Sequence, residues 1–255
     1  MIWILGGTHE VKDLLNLMKD YSNIIVSVTT EEAREFLPID LKVHVGKMTE
    51  EEKLELVHAN DIDFIVDMTH PFSKHIKKSI DEFSKKYHIP LVRFKREIEK
   101  IESKNIIYAD GYDEAERLIK NLHGTFFFTT GVNESERFYR VRGENRMIFR
   151  VLPSVKSVQK LADIGVNMKD ICAMLGPFSA EMNVALIKNF GADYIVTKNS
   201  GDGSGIMEKI EAAKVTNIKI IVIEPDEVPG IKDLDVLRQI LEEKNEFVRR
   251  DTKKY

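Results

Sequence analysis

The sequence predicts an α/β protein with mainly parallel sheets flanked by helices, divided into two lobes. Three observations predict it. Short apolar runs of β type alternate with longer, charge-rich segments of helical spacing, the arrangement of parallel sheets covered on both faces. Polar and glycine-rich clusters fall directly after the runs, where open parallel sheets bind their ligands. The chain has 255 residues, and so many runs over that length suit two doubly wound lobes better than one very wide sheet.

Taken in order, the strand runs are residues 2–5, 24–28, 64–67, 90–94, 106–108, 125–129, 171–174, 194–197 and 218–223. Several are almost wholly apolar, as strands buried on both faces are. After the first run, Val11, Leu14, Leu15 and Met18 recur at i, i+3, i+4 and i+7, which places them on one helix face. Ahead of Leu54, Leu56 and Val57, Thr49 with Glu52 has the spacing of a capping box, in which hydroxyl and carboxylate each satisfy a free backbone N–H. Thr29 with Glu32 is a second candidate. Leu234, Leu237, Ile240 and Leu241 predict a helix near the end of the chain. The stretch Glu97-Ile98-Glu99-Lys100-Ile101-Glu102 is charged and poorly patterned for a core element. The expected boundary is placed there, with an N-terminal lobe over 1–100 and a C-terminal lobe over 101–255, between which a segment is free to cross. The polar tail 249–255 is expected to fray.

Composition narrows the class. A hydrophobic share of 43% and a charged share of 31% are ordinary for a globular chain and exclude a mostly disordered, collagen-like or coiled-coil protein. Lys+Arg 38 against Asp+Glu 42 gives a net charge of −4, which disfavours a nucleic-acid partner while allowing a local basic pocket. The single cysteine, Cys172, excludes an intramolecular disulfide and a cysteine-rich metal site. The histidines show no metal spacing; His70 and His75 have no carboxylate arranged to complete a site, and no metal is expected. No run approaches the roughly 18 apolar residues of a membrane helix, and the opening residues lack the basic segment of a signal peptide. A cytoplasmic protein with no membrane partner is expected. The sequence sets no oligomeric state.

The strand-end clusters are the candidate site. Gly6-Gly7-Thr8-His9-Glu10 follows the first run. Glycines let the backbone turn tightly and approach a ligand. The helix that begins at once faces the turn with free N–H groups and the positive end of its dipole, which favours an anion such as a cofactor pyrophosphate. The spacing is not the dinucleotide G-x-G-x-x-G, and a plain strand–helix turn with Thr8 as N-cap reads equally well. Thr69-His70-Pro71-Phe72-Ser73 follows the run 64–67. Pro71 fixes its own φ and drives His70 out of α geometry. That holds a histidine able to donate a hydrogen bond or carry a proton near neutral pH; a turn histidine ahead of a helix-starting proline is the structural alternative.

Gly176-Pro177-Phe178-Ser179 repeats the design, with Phe178 a core plug by default and Ser179 the N-cap of a helix carrying Asn183 and Leu186. Lys198-Asn199-Ser200-Gly201-Asp202-Gly203-Ser204-Gly205 offers flexible backbone donors for phosphate or carboxylate, with Lys198 at the strand end and no Walker spacing; a surface loop is the alternative. Thr130-Gly131 completes the set after the run 125–129. Arg93 and Arg96, at the end of the fourth run, suit bidentate binding of a carboxylate; surface pairing of Arg96 with Glu97 or Glu99 competes with that. Gly203-Ser204-Gly205 follows no strand directly and is no nucleophile elbow, so acyl transfer is disfavoured.

Four pieces stand in order, each at a strand end: Ile4-Leu5-Gly6-Gly7-Thr8-His9-Glu10, Asp67-Met68-Thr69-His70-Pro71-Phe72, Gly176-Pro177-Phe178-Ser179-Ala180-Glu181-Met182-Asn183 and Val196-Thr197-Lys198-Asn199-Ser200-Gly201. Together they resemble the precorrin-6A reductase family of corrin biosynthesis (the CobK/CbiJ enzymes). Lys209-Ile210, Ala212-Ala213 and Ile221-Val222-Ile223 continue the pattern. The resemblance implies two Rossmann-like lobes with the active site in the cleft between them. It implies a reductase that delivers hydride from NADPH or NADH to a double bond of precorrin-6A or cobalt-precorrin-6A, giving the dihydro 6B product. The chain departs from the family in three places. Glu224-Pro225 stands where Arg-Pro is frequent, Arg96 is followed by Glu97 and not by proline, and Gly201-Asp202-Gly203 replaces a Gly-Gly pair.

On that reading Gly6, Gly7, Thr8, Glu10, Thr29, Thr30 and Arg34 are the expected cofactor contacts. Thr29, Thr30 and Arg34 suit a 2′-phosphate, whereas Glu31 and Glu32 suit a ribose hydroxyl, so NADPH and NADH both remain compatible. A tetrapyrrole substrate carries carboxylate arms and calls for cations and backbone donors. Thr69, Pro71, Phe72, Arg93, Gly176, Pro177, Phe178, Ser179, Lys198, Ser200 and Gly201 are its expected contacts. His70 is the candidate proton donor or polariser; the hydride chemistry itself belongs to the cofactor. Two rival readings stand beside this one. Another Rossmann-fold NAD(P)-dependent oxidoreductase of the short-chain type would want a Tyr-x-x-x-Lys pair, which residues 138–143 lack. A non-catalytic two-lobed protein that closes on a small anion would need no nicotinamide nucleotide.

Overall fold

Two all-parallel sheets carry the chain, one in each of two units, Met1–Glu97 with Glu227–Tyr255 and Ile98–Asp226. The computed structural model describes residues 1–18, 20–96, 100–201 and 204–252. Part of the expected charged boundary (97–99), Asp202, Gly203 and the last three residues of the tail lie outside the described residues.

In the first unit, β1 (Ile2–Leu5), β2 (Ile24–Val28), β3 (Lys42–Val45), β4 (Phe64–Asp67) and β5 (Leu91–Arg93) form a sheet of order β3-β2-β1-β4-β5. Every residue of β1 and β2 is buried, and strand alternation divides them between two cores. Ile2, Ile4, Val26 and Val66 pack with Val11, Leu14 and Leu15 of α1 (Glu10–Leu17). Trp3, Leu5, Ile25 and Ile65 pack with Val57 of α3 (Glu50–Ala59) and with Ile80 and Phe83 of α4 (Lys74–Tyr87). The Trp3 indole N–H is satisfied by Ser27 Oγ at 2.9 Å. The capping box of Thr49 and Glu52 is formed in full. The short α2 (Glu31–Arg34) is capped by Thr30, which accepts from Ala33 N at 3.3 Å; the expected cap at Thr29 is therefore off by one residue. Strand β3 escapes the sequence reading because its polar Lys42 and His44 interrupt the apolar signal, as an edge strand permits.

In the second unit, β6 (Ile106–Asp110), β7 (Thr125–Phe128), β8 (Arg146–Val151), β9 (Ile171–Ala173), β10 (Tyr194–Lys198) and β11 (Lys219–Glu224) form a sheet of order β6-β11-β10-β7-β8-β9. One face is aromatic: Phe126 stacks on Tyr194, and Phe128 on Phe149. The other face sets Phe127, Ile148, Ile195 and Val222 against Ile187 of α8 (Ala180–Phe190) and against Ile210, Ala212 and Ala213 of α9 (Ile206–Thr216). Strand β8 was not expected, because Arg146 and Arg150 break its apolar run, yet all of it but Arg146 is buried.

The C-terminal helix α10 (Leu234–Thr252) corrects the expected lobes. Its Leu237 and Leu241 are fully buried in the core beside α1 and β1, and Phe94 forms a bridge with Ile231. The second lobe thus runs only to about Asp226, and the apolar stripe read at 234–241 belongs to the first unit. Among the described residues no helix is long and apolar enough to cross a membrane.

Candidate functional site

In each sheet the strand order reverses once, between β1 and β4 in the first and between β7 and β10 in the second. The connections at such a reversal run to opposite sides and open a crevice at the strand ends. Four of the sequence-predicted clusters, after β1, β4, β7 and β10, fall on these two places; the fifth, Gly176-Pro177-Phe178-Ser179, follows the edge strand β9.

At the first, Gly6 is set by close approach, whereas a side chain at Gly7 would make only an ordinary contact. A Cβ on Gly6 would stand 3.2 Å from Ser27 O, and one on Gly7 3.4 Å from His70 N and Thr69 Cα. Thr8 does not cap α1. Its Oγ1 donates to Met68 O at 3.2 Å and ties the turn after β1 to the turn after β4, while His9 takes the N-cap position with no side-chain cap.

The turn after β4 is held from below. Asp67, fully buried, accepts from Thr69 N at 2.9 Å, Thr69 Oγ1 at 2.6 Å and Arg93 Nε at 2.6 Å. Arg93 also donates to Asp81 at 2.9 Å. The buried Lys77 donates from Nζ to His70 O at 2.7 Å and Pro71 O at 2.9 Å. Phe72 N donates to His70 Nδ1 at 3.2 Å. An imidazole that accepts at Nδ1 carries its neutral-form proton on Nε2. His70 is thus fixed in place and in tautomer.

Three sequence-predicted cations and acids have other work here. Arg93 is turned inward on Asp67 and Asp81 and is not held out for a substrate carboxylate; burial alone would lower its pKa, and the two carboxylates more than offset that. Arg34 donates to the carbonyls of Leu37, Pro38 and Ile39, closing its own loop and not a cofactor phosphate. Glu10 receives both Nε and a terminal nitrogen of Arg96. Burial pushes the Glu10 carboxyl up, but Arg96 and Thr8 outweigh it and hold the pKa below the usual carboxylate value. Arg96 therefore has a partner 86 residues away; Glu97 and Glu99, its competing partners in the sequence reading, lie outside the described residues.

A cavity of about 260 Å³ opens at the ends of β1 to β4 within this unit. Gly6, Thr29 and Thr69 line it; Gly7, Thr8, Glu10, Thr30 and Arg34 do not. Trp3, Leu5 and Ile76 give it an apolar wall, and its cations are Lys47 and Lys53, with no carboxylate among the lining residues.

At the second reversal, Lys198 ends β10. Burial lowers the pKa of its ammonium, and Glu134 opposes that. Ser200 and Gly201 follow, both buried, and Gly201 has φ +78°, a backbone state that suits glycine. Asn199 anchors the loop by donating to Glu224 Oε1 at 3.0 Å, so the glutamate that departs from the family pattern has a structural task. Thr130, 3% exposed at the end of β7, keeps an Oγ1 with no partner among the described residues.

Phe178 is not a core plug. Its ring folds back over Gly176, where a Cβ would meet it at 3.0 Å, and the Arg150 guanidinium lies 4.0 Å from its centroid. Pro177 and Ser179 are exposed, and Ser179 caps α8 through Met182 N at 3.2 Å. Sequence reasoning named Asp67 and Lys209 only as part of the family pattern, without a role, and missed Lys77 and Arg150. One signal was present: an arginine inside the otherwise apolar run 147–151.

Comparison with known proteins bears on this geometry. The family described as "Precorrin-6x reductase CbiJ/CobK" matches residues 1–242. A cobalt-precorrin-6A reductase of Methanocaldococcus jannaschii is 33% identical over 87% of this chain and 88% of its own length. One of Priestia megaterium is 29% identical over 88% and 89%. The solved structure of a CobK precorrin-6A reductase covers 95% of this chain and 96% of its own, with a TM-score of 0.72 at 17% identity, and shares the fold.

Proposed function

The chain belongs to the precorrin-6x reductase CbiJ/CobK family, and from that premise we propose that it reduces cobalt-precorrin-6A with hydride from NADPH. It is a reductase of cobalamin biosynthesis, an activity that implies a nicotinamide cofactor. The observation that carries the reading is a family match that runs through both units, residues 1–242. The cobalt-containing substrate is favoured because relatives at 33% and 29% identity bear that name.

The cavity of the first unit suits the adenosine end of a nicotinamide dinucleotide. Its apolar wall suits an adenine, Gly6 leaves room for close backbone approach, and Lys47 and Lys53 face it with no lining carboxylate. An acid at this place would hydrogen-bond a ribose 2′-hydroxyl, whereas cations accommodate a 2′-phosphate, which favours NADPH over NADH. When bound, the cofactor supplies the hydride. The chain's own part is positioning and proton handling. Asp67, Arg93 and Lys77 hold the turn rigid, and His70 keeps a proton at Nε2 that it can donate as the conjugated system gains electron density. Thr69, Pro71, Phe72, Gly176, Pro177, Phe178, Ser179, Lys198, Ser200 and Gly201 remain the proposed substrate contacts.

The test is calorimetric titration with NADPH and NADH separately, followed by cofactor oxidation with cobalt-precorrin-6A. NADPH is expected to bind at least about tenfold tighter, a difference of about 1.4 kcal/mol, and Lys53→Glu is expected to abolish the preference. Equal affinity for both nucleotides overturns the assignment of NADPH, and a folded protein that oxidises neither with substrate present overturns the reductase reading. His70→Ala should lower the single-turnover rate about tenfold or more; a rate within about threefold of wild type removes His70 from the mechanism.

A further inference from the structure

Two cations of the second unit lie buried, and among the described residues no carboxylate is paired to them. Arg150, near the end of β8, is 7% exposed. Its guanidinium is 4.0 Å from the Phe178 ring centroid and 5.4 Å from that of Phe127. One terminal nitrogen donates to Asn183 Oδ1 at 2.8 Å; among the described residues the other two nitrogens have no acceptor. Lys209, in the first turn of α9, is 8% exposed, and its Nζ donates to Ser204 O at 2.9 Å. Ser204 Oγ is itself buried and has no partner among the described residues.

These groups converge on the first turns of α8 and α9. Asn183 belongs to α8 and Phe178 precedes it, while Ser204 and Gly205 precede α9. Both helices have 11 residues, so each first turn adds partial positive charge and free N–H groups. Arg150 is close enough to Lys209 for their repulsion to register, along with that of Lys198, and among the described residues Glu208 is the carboxylate that acts on Lys209. Buried cations are otherwise paired, because an uncompensated one opposes folding. The imbalance is what a site looks like before its counter-charge arrives.

We propose that Arg150, Lys209 and the Ser204 hydroxyl, between the first turns of α8 and α9, bind one oxyanion, a carboxylate or phosphate group of a larger ligand. The planar guanidinium, held 4.0 Å from the Phe178 ring centroid, can offer two parallel N–H bonds to an oxyanion. Lys209 supplies a point charge and Ser204 a hydroxyl donor. The site rests on the proposed function only for where the anion comes from, a side-arm carboxylate of the tetrapyrrole or a phosphate of the dinucleotide.

The experiment is calorimetry on the whole protein and on Arg150→Met, Arg150→Lys and Lys209→Met. The probes are uroporphyrin, its methyl ester, NADPH and inorganic pyrophosphate. At least one anionic probe is expected to bind and to weaken tenfold or more in Arg150→Met and Lys209→Met, with Arg150→Lys between them and wild type and the methyl ester not binding. Weakening confined to uroporphyrin assigns the site to carboxylates; weakening confined to NADPH and pyrophosphate assigns it to phosphates. Burial and Arg150 pull the Lys209 pKa down to about 8, so wild-type affinity should fall as pH rises from about 7 to about 9.5, and Lys209→Met should lose that dependence. A lysine with a merely structural role would not produce it. Unchanged affinity for every probe in folded Arg150→Met and Lys209→Met overturns the site, as does failure of every anionic probe to bind wild type. If Arg150→Met does not fold, Arg150→Lys and Lys209→Met carry the same comparison. Cofactor oxidation with cobalt-precorrin-6A tests the reductase reading separately, since anion binding is read without turnover.

Discussion

At the carboxyl end of the first sheet, Arg93 lies on Asp67 and Asp81, Arg96 on Glu10, Arg34 on backbone carbonyls and Lys77 on the carbonyls of His70 and Pro71. At the corresponding end of the second sheet, Arg150 has an amide oxygen and Lys209 a single carbonyl, and the Thr130 and Ser204 hydroxyls have no partner among the described residues. Both ends belong to the same kind of parallel sheet, so the fold does not dictate the difference. Matched charges stabilise a turn that must hold one shape, here the one that presents His70. Unmatched charges hold electrostatic energy that a ligand of opposite charge can release. The first end is therefore a scaffold beside a cavity, and the second is an electrostatic socket.

The largest expected effect breaks the scaffold. Asp67→Ala leaves Arg93 buried beside only Asp81 and strips Thr69 of its acceptor. It should cost roughly 3–5 kcal/mol in urea unfolding; a loss below about 1 kcal/mol would mean that the pair is not what holds the turn.

The next effect sharpens the contrast through pH. Burial first, and then repulsion from Arg150, lowers the Lys209 pKa from 10.5 to about 8. Below about 8 the native and unfolded states both hold that proton, and the strain of the buried charge is fully present. Between there and the unfolded value near 10.5 the unfolded state binds more protons, so this lysine makes stability rise with pH. The rise approaches about 3 kcal/mol. It should appear as the difference between wild type and Lys209→Met in denaturation measured across that range, and parallel curves would remove it.

Arg150→Met should change stability by no more than about 1 kcal/mol, because the charge it removes is uncompensated and only the bond to Asn183 is lost. Chemical denaturation beside Asp67→Ala makes the comparison direct: equal losses would abolish the distinction between the two ends. The smallest effect is Thr8→Val. It removes the tie from Thr8 to Met68 O and should cost about 0.5 kcal/mol, read as a small shift in thermal midpoint.

How much of this was legible depends on distance along the chain. Residues 2–5 and 24–28 read as buried strands because their composition alone says so, and Thr49 with Glu52 read as a cap because its partners are neighbours. Strand β8 was lost because Arg150 looks like a surface residue until Phe178, Asn183 and Phe127 are brought around it. Arg93 and Arg34 looked like ligand contacts because a free cation and a committed one are the same letter. The last helix read correctly as a helix and was assigned to the wrong lobe, since its apolar stripe does not say which core it fills.

By itself the sequence determined two parallel sheets and the glycine-rich and polar clusters at their strand ends, because periodicity, glycine turns and caps are set by neighbours a few residues apart. Tertiary structure alone decided which charges are matched. Glu10 meets Arg96 across 86 residues and Arg150 meets Asn183 across 33, and a charge is neutralised by what lies within a few ångströms of it, however far away that partner is along the chain.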